Sequence, residues 1–242
     1  MERQGTNHKP YAVGVIFVHG IQGKPSQFDF LIERLPDDIL IRNIRLPGHG
    51  ATTEEFRKAT SEEWLDAVRE ESLAMSRQCD RLIYVGHSMG CLLGLIIQQE
   101  QKLFCSMLLL CCPFCIRPTK RYLKNNIGAK ITTGKTDNPY VIAAREANGI
   151  TAKHATSYLR CAPPYYELLR LIHFVRTTPM TVPQSAIFSF SQLDEIVSTK
   201  SVFYARDHFD AKILVQPECG HNYFTPAAKE RLVRHLQKMI EE

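Results

Sequence analysis

Leu82-Ile83-Tyr84-Val85-Gly86-His87-Ser88-Met89-Gly90-Cys91-Leu92-Leu93-Gly94-Leu95-Ile96-Ile97 decides the reading of this chain. An apolar, β-prone run enters a Gly-x-Ser-x-Gly pentapeptide and leaves it as an apolar helical run, so one serine stands on a sharp strand-to-helix turn. Gly86 and Gly90 carry no side chain to crowd that turn. The Ser88 hydroxyl then projects from it, at a helix N-terminus whose unpaired N–H groups and dipole favour negative charge.

Upstream, Ala12–Val18 reads as a strand ending at His19-Gly20, and Ser26 is placed to cap a helix running to about Leu35. Ile39–Leu46 reads as a second strand, broken by Pro47-Gly48-His49-Gly50. Ser61-Glu62-Glu63-Trp64 opens a helix to about Gln78, with Ser61 as its cap. Downstream of the pentapeptide, the helix from Met89 to about Gln99 is apolar enough to pack between other layers. Cys105–Cys111 is a continuous apolar strand of the kind buried on both faces. Ala186–Phe190 and Ala211–Val215 follow, and a helix from about Pro226 to Met239 closes the chain. Strands alternating with helices predict a mostly parallel central sheet with helices on both faces.

Residues 113–183 interrupt the alternation with helical stretches near Tyr140–Ala147, Ala152–Leu159 and Tyr166–Val175. They predict an inserted lid, with residues 1–112 and 184–242 forming the core. A lid at the carboxyl ends of parallel strands would shape access to a ligand crevice.

At 242 residues the chain is near the upper end for one hydrophobic core. With 44% apolar and 23% charged residues it reads as an ordinary globular protein, and no uncharged stretch is long enough to span a bilayer. Stable membrane insertion is not expected, and peripheral contact stays open. The polar segment Met1–Pro10 lacks the apolar centre of a secretory leader, which points to the cytoplasm. Several of the eight cysteines fall inside core elements, as buried thiols in a reducing compartment do. Cys112-Pro113-Phe114-Cys115 has redox or zinc spacing but no second pair to complete a four-ligand site, so no metal or cofactor is expected. A net charge of +5 without a dense basic and aromatic run argues against nucleic acid. Arg117, Lys120, Arg121, Lys124, Lys130 and Lys135 are read as a solvated face.

A serine needs a base to become a nucleophile at neutral pH. Of nine histidines, His221 is best placed, in a loop after the last strand and before the terminal helix. The orienting carboxylate should follow the preceding strand, where Asp194 and Glu195 are adjacent. Asp194 is preferred because a short side chain held by a turn fixes an imidazole with less freedom. An oxyanion hole needs two converging backbone donors. Met89 supplies the first and the His19–Gly23 loop the second, with Ile21 preferred and Gln22 the alternative register.

With His19-Gly20, Arg45-Leu46-Pro47-Gly48-His49-Gly50, Gly86–Gly90, Asp194 and Gly220-His221 in this order, the chain resembles the α/β-hydrolase fold family, in particular its compact carboxylesterase and monoacylglycerol-lipase-like members. The resemblance covers nearly all the chain outside the lid. It implies a cofactor-free Ser88-His221-Asp194 triad acting on a small-molecule ester of short to medium acyl chain, with monoacylglycerols among the candidates. A thioesterase on the same triad is the alternative; a non-catalytic receptor and a lyase using His221 as base are rivals of another class. Two departures stand out. Cys91 replaces a glycine common in relatives, and Ser191-Gln192-Leu193-Asp194 lacks the glycine that often precedes the acid. His49 is expected to order its loop rather than act as a second base.

Overall fold

The computed structural model describes residues 9–122, 124, 136–151 and 160–242. Their core is a parallel sheet of strands β1 (Tyr11–Val18), β2 (Leu40–Ile44), β3 (Cys79–His87), β4 (Ser106–Leu110), β5 (Ile187–Ser191) and β6 (Lys212–Gln216), in the order β2-β1-β3-β4-β5-β6. Helices α1 (Asp29–Ile32), α2 (Thr53–Phe56), α3 (Ser61–Ser76), α4 (Met89–Gln101), α5 (Pro139–Ala147), α6 (Ala162–Thr177), α7 (Lys200–His208) and α8 (Pro226–Glu241) connect and cover it.

Side-chain alternation along the strands builds two cores. Ile16, Tyr84 and Leu109 point to the face covered by α3, α4 and α6, where Trp64, Leu92 and Leu171 are buried. Their neighbours Val15, Val85 and Leu110 point to the opposite face, against Phe28, Leu31 of α1 and Leu232, Leu236 of α8. The α/β architecture with helices on both faces is as the sequence predicts.

The order reverses between β1 and β3, which makes their carboxyl ends the topological switch point, where open α/β sheets form ligand crevices. The loop after β1 and the turn after β3 are therefore brought side by side by topology alone. Residues between β4 and β5 carry α5 and α6. The 152–159 stretch, His154, Lys130, Lys135 and residues 1–8 lie outside the described residues. Among those described, no helix is long and apolar enough to cross a membrane.

Two caps differ from expectation. Thr60, not Ser61, caps α3, in a reciprocal capping box with Glu63. Ser61 sits one residue inside, and its hydroxyl bonds Glu167 instead. Nor does Ser26 cap a long helix: a short 3-10 turn, Pro25–Phe28, precedes α1, and Lys24 at its start makes no side-chain cap. Pro25 takes the first helical position, which pushes Ser26 past the capping site.

Candidate active site

Ser88 stands between β3 and α4 with φ 52° and ψ −119°. A non-glycine residue there carries strain of roughly 1–3 kcal/mol. The surroundings hold it: the Ser88 N–H donates to the Leu110 carbonyl at 2.8 Å, and the Tyr84 hydroxyl donates to the Gly90 carbonyl at 2.6 Å. A Cβ on Gly90 would run into the Val18 carbonyl oxygen, and one on Gly86 would lie 2.9 Å from the Gly90 backbone. Cys91, in place of a smaller residue, turns its thiol to the Leu110 carbonyl at 3.2 Å and is accommodated.

Ser88, His221 and Asp194, which come from three separate loops, form one hydrogen-bonded chain. His221 Nε2 lies 3.0 Å from Ser88 Oγ, and His221 Nδ1 lies 2.9 Å from Asp194 Oδ2. The other Asp194 oxygen accepts from the backbone N–H groups of Ile196 and Val197 at 2.8 and 2.7 Å, so a tight turn fixes the carboxylate without the glycine expected before it. Burial by itself would lower the His221 ring, but the charge and hydrogen bond of Asp194 outweigh it and raise the ring above the usual histidine value. For Asp194 burial pushes up, and the His221 ring together with the two backbone donors holds the carboxyl below its usual range. Both directions favour an imidazolium beside a carboxylate, the state that follows removal of a proton from Ser88.

The loop after β1 faces this chain. Gly20 lies so close that a Cβ there would be 2.8 Å from the Ser88 Cβ. His19 Nδ1–H donates to the Gly20 carbonyl at 2.9 Å while its Nε2 accepts from Leu46 N–H at 3.2 Å. His49 Nδ1–H donates to the Pro47 carbonyl and its Nε2 accepts the Gln22 N–H at 3.1 Å. Burial is the main cause that brings the His19 and His49 rings down to about 3 and about 4, so both act as neutral, single-tautomer struts. The Gln22 amide is thus engaged by His49. The Ile21 amide and that of Met89, at the first position of α4, make no backbone or side-chain bond among the described residues.

A cavity of about 240 Å³ opens above Ser88 and His221. Ile116, Tyr122, Ala144, Arg145, Tyr165 and Leu168, all from residues between β4 and β5, contribute to its walls. Gln22, Gln27 and Asn222 give it a polar side.

A family model described as alpha/beta hydrolase family matches residues 15–235, a span that holds Ser88, Asp194, His221 and the loop after β1. The chain belongs to the alpha/beta hydrolase family.

Solved structures share the hydrolase fold at low identity. One is a metagenome-derived lipolytic enzyme (16% identity, TM-score 0.69, covering 97% of this chain and 96% of that one). Another is a soluble variant of monoglyceride lipase from Saccharomyces cerevisiae (13%, 0.67, 99% and 88%). A third is an N-formylmaleamic acid deformylase from Pseudomonas putida (13%, 0.59, 93% and 93%). No curated protein matches the chain.

Three residues of this hydrolase, Glu195, His87 and Arg121, make contacts that the sequence does not reveal. The Glu195 carboxylate, weighed as an alternative to Asp194, accepts the backbone N–H of His221 at 2.9 Å. His87, inside the pentapeptide, donates from Nε2 to the His221 carbonyl at 2.8 Å and accepts from Gln27 Nε2 at 3.0 Å. Burial, then repulsion from the His221 ring, holds His87 down to about 3. Arg121, read as part of a solvated face, donates to the Leu193 carbonyl and lies 5.5 Å from the Tyr140 ring centre, tying the chain after β4 to the loop after β5. The nitrogen and sulfur atoms of His87, Cys111 and His221 lie within 4.8 Å of one another, close enough to be considered as metal ligands. Each already has a protein partner: His87 with the His221 carbonyl, Cys111 with Ser191 Oγ, His221 with Asp194.

Proposed function

We propose that this hydrolase cleaves carboxylic esters of short to medium acyl chain, monoacylglycerols among them, through an acyl-enzyme on Ser88. The carrying observation is the unbroken Ser88-His221-Asp194 chain at the floor of the cavity. His221 takes the Ser88 proton on Nε2 as Oγ attacks the ester carbonyl, and Asp194 holds the Nδ1–H tautomer and balances the imidazolium charge. The carbonyl oxygen, now negative, is met by the Ile21 and Met89 amides; the Gln22 amide, engaged by His49, is the weaker choice for the second donor. The imidazolium returns its proton to the leaving alcohol. Water then attacks the acyl-enzyme with His221 again as base and releases the acid and free Ser88.

A cavity of about 240 Å³ is small for a ligand site, which supports a short to medium acyl group over a long one. Residues 113–183 serve as the lid in this reading, because their side chains build much of the cavity wall. The lipolytic enzyme and the monoglyceride lipase of similar fold support an ester substrate.

The test is a panel of p-nitrophenyl esters of graded acyl length beside monoacylglycerols and acyl thioesters, run with wild type and Ser88→Ala. Turnover of esters that disappears in the variant, with a fluorophosphonate attached to Ser88 in wild type, is the expected result. Faster thioester turnover selects the thioesterase. Ligand binding without labelling or turnover selects a receptor.

A further inference from the structure

The geometry points to Glu195 as a positioning residue that fixes His221 through its main chain. The inference rests on His221 as the catalytic base. Glu195 is 3% exposed, and burying a carboxylate costs several kcal/mol unless donors compensate it. Its Oε2 accepts the His221 N–H at 2.9 Å, a charge-assisted bond. The approach depends on position 220, because a Cβ there would sit 2.8 Å from Glu195 Oε2; only glycine leaves room for the carboxylate to reach the next amide.

Glu195 itself is held. Its backbone carbonyl accepts from Thr119 N–H at 2.9 Å, and the neighbouring Ile196 carbonyl accepts from Arg117 N–H at 2.8 Å, so the first residues of the insertion pair with the acid loop. On the far side of the same residue, His87 donates to the His221 carbonyl at 2.8 Å. The peptide groups before and after the His221 Cα are therefore both clamped, one by an anion and one by a neutral ring. The ring is left to swing only about its own side-chain bonds, between Asp194 and Ser88.

Two adjacent carboxylates thus divide the work. Asp194 sets the tautomer from the ring side, and Glu195 sets the height of the ring above Ser88 from the backbone side. Glu195 also contributes charge. Burial lowers the His221 ring, Asp194 raises it most, and Glu195 adds to the rise. Among the described residues, His87 at the end of β3 and Cys111 after β4 are the other titratable groups beside the ring, while Tyr122 and, on α5, Tyr140 lie near the Glu195 carboxylate and the Arg121 guanidinium lies near Tyr140.

The test compares Glu195→Gln, which keeps an acceptor and loses the charge, with Glu195→Leu, which loses both. For E195Q the acidic limb of kcat/KM moves to lower pH by roughly half a unit, and NMR titration of the His221 ring follows it, because a nearby negative charge has been removed. For E195L, kcat falls roughly 10–100-fold with KM changed less than about twofold, the signature of a displaced base. Unchanged kcat in folded E195L, or an E195Q limb and ring titration that do not move, overturns the proposal. If E195L does not fold, E195Q alone decides. Absence of fluorophosphonate labelling in wild type would sink the triad reading instead, and the substrate-free NMR titration would still report on Glu195.

Discussion

Gln22 gives its backbone N–H to His49 Nε2 at 3.1 Å, linking the loop after β1 to the Pro47–Gly50 turn after β2. In the same turn the Trp64 indole donates to the Pro47 carbonyl, and the His49 ring packs against Phe56 and Trp64. His49 therefore anchors the loop at Gln22, next to the Ile21 amide proposed as an oxyanion donor. His49→Leu should keep the packing and lose the acceptor, lowering kcat about tenfold or more with KM nearly unchanged. Steady-state kinetics on one short ester checks this, and an unaltered kcat would remove His49 from the positioning of the loop.

Replacing Asp194 with asparagine leaves the shape of the site but offers the ring an amide in place of an anion. Turnover should fall by about 10⁴-fold, because the imidazolium loses its counter-charge and the useful tautomer loses its anchor. Binding of a non-hydrolysable ester analogue, measured by calorimetry, should change little.

Gly90→Ala places a methyl group against the Val18 carbonyl, where a main-chain oxygen has no way to retreat without moving β1. A loss of roughly 3 kcal/mol or more in stability is expected, well above an ordinary surface change. Chemical denaturation of the variant gives the number; a loss under about 1 kcal/mol would mean that the elbow is looser than its contacts imply.

Three buried rings give the protein an acid-side weakness. His19, His87 and His49 are held down to about 3, about 3 and about 4, whereas in the unfolded chain each takes a proton near the ordinary value of 6.5. Below that value the unfolded state binds more protons, so stability present above it is lost as pH falls. Each ring contributes a slope of about 1.4 kcal/mol per pH unit, and the three together roughly 4 between about pH 6 and about pH 4.5. His221 acts in the opposite sense and at higher pH: its folded value is raised, so its contribution is full below the unfolded value and fades as pH climbs through the folded one. Denaturation midpoints that stay flat from about pH 7 to about pH 5 would contradict this.

Much of the site was readable because its residues mark breaks in pattern. Ser88 interrupts a strand-helix junction, and Asp194 and His221 follow the ends of apolar strands, so periodicity locates them without any knowledge of contacts. Glu195 and His87 bond the backbone of His221, 26 and 134 positions away, and such pairings leave no local signal, whereas His49, expected to order its loop, does bond the Gln22 backbone. Helix caps failed for a nearer reason. Thr60 and Ser61 are both good caps side by side, and the choice falls to Thr60 because Glu63 is three residues beyond it and can close the reciprocal box. The short α7 carries no side-chain cap and no dense apolar stripe, so pattern alone did not reveal it.

Gly149 N–H donates to the Gln22 carbonyl at 2.7 Å, Gly50 N–H donates to the Gly149 carbonyl at 2.7 Å, and Thr151 continues the pairing with Ala51 and Thr53. Residues 149–151 are thus stitched, main chain to main chain, to the cavity-lining loop after β1 and to the loop after β2. Exchanging residues 113–183 as a cassette would break these bonds. A chimera would have to preserve this short seam, side chains aside, or it would disturb the reaction centre along with the specificity.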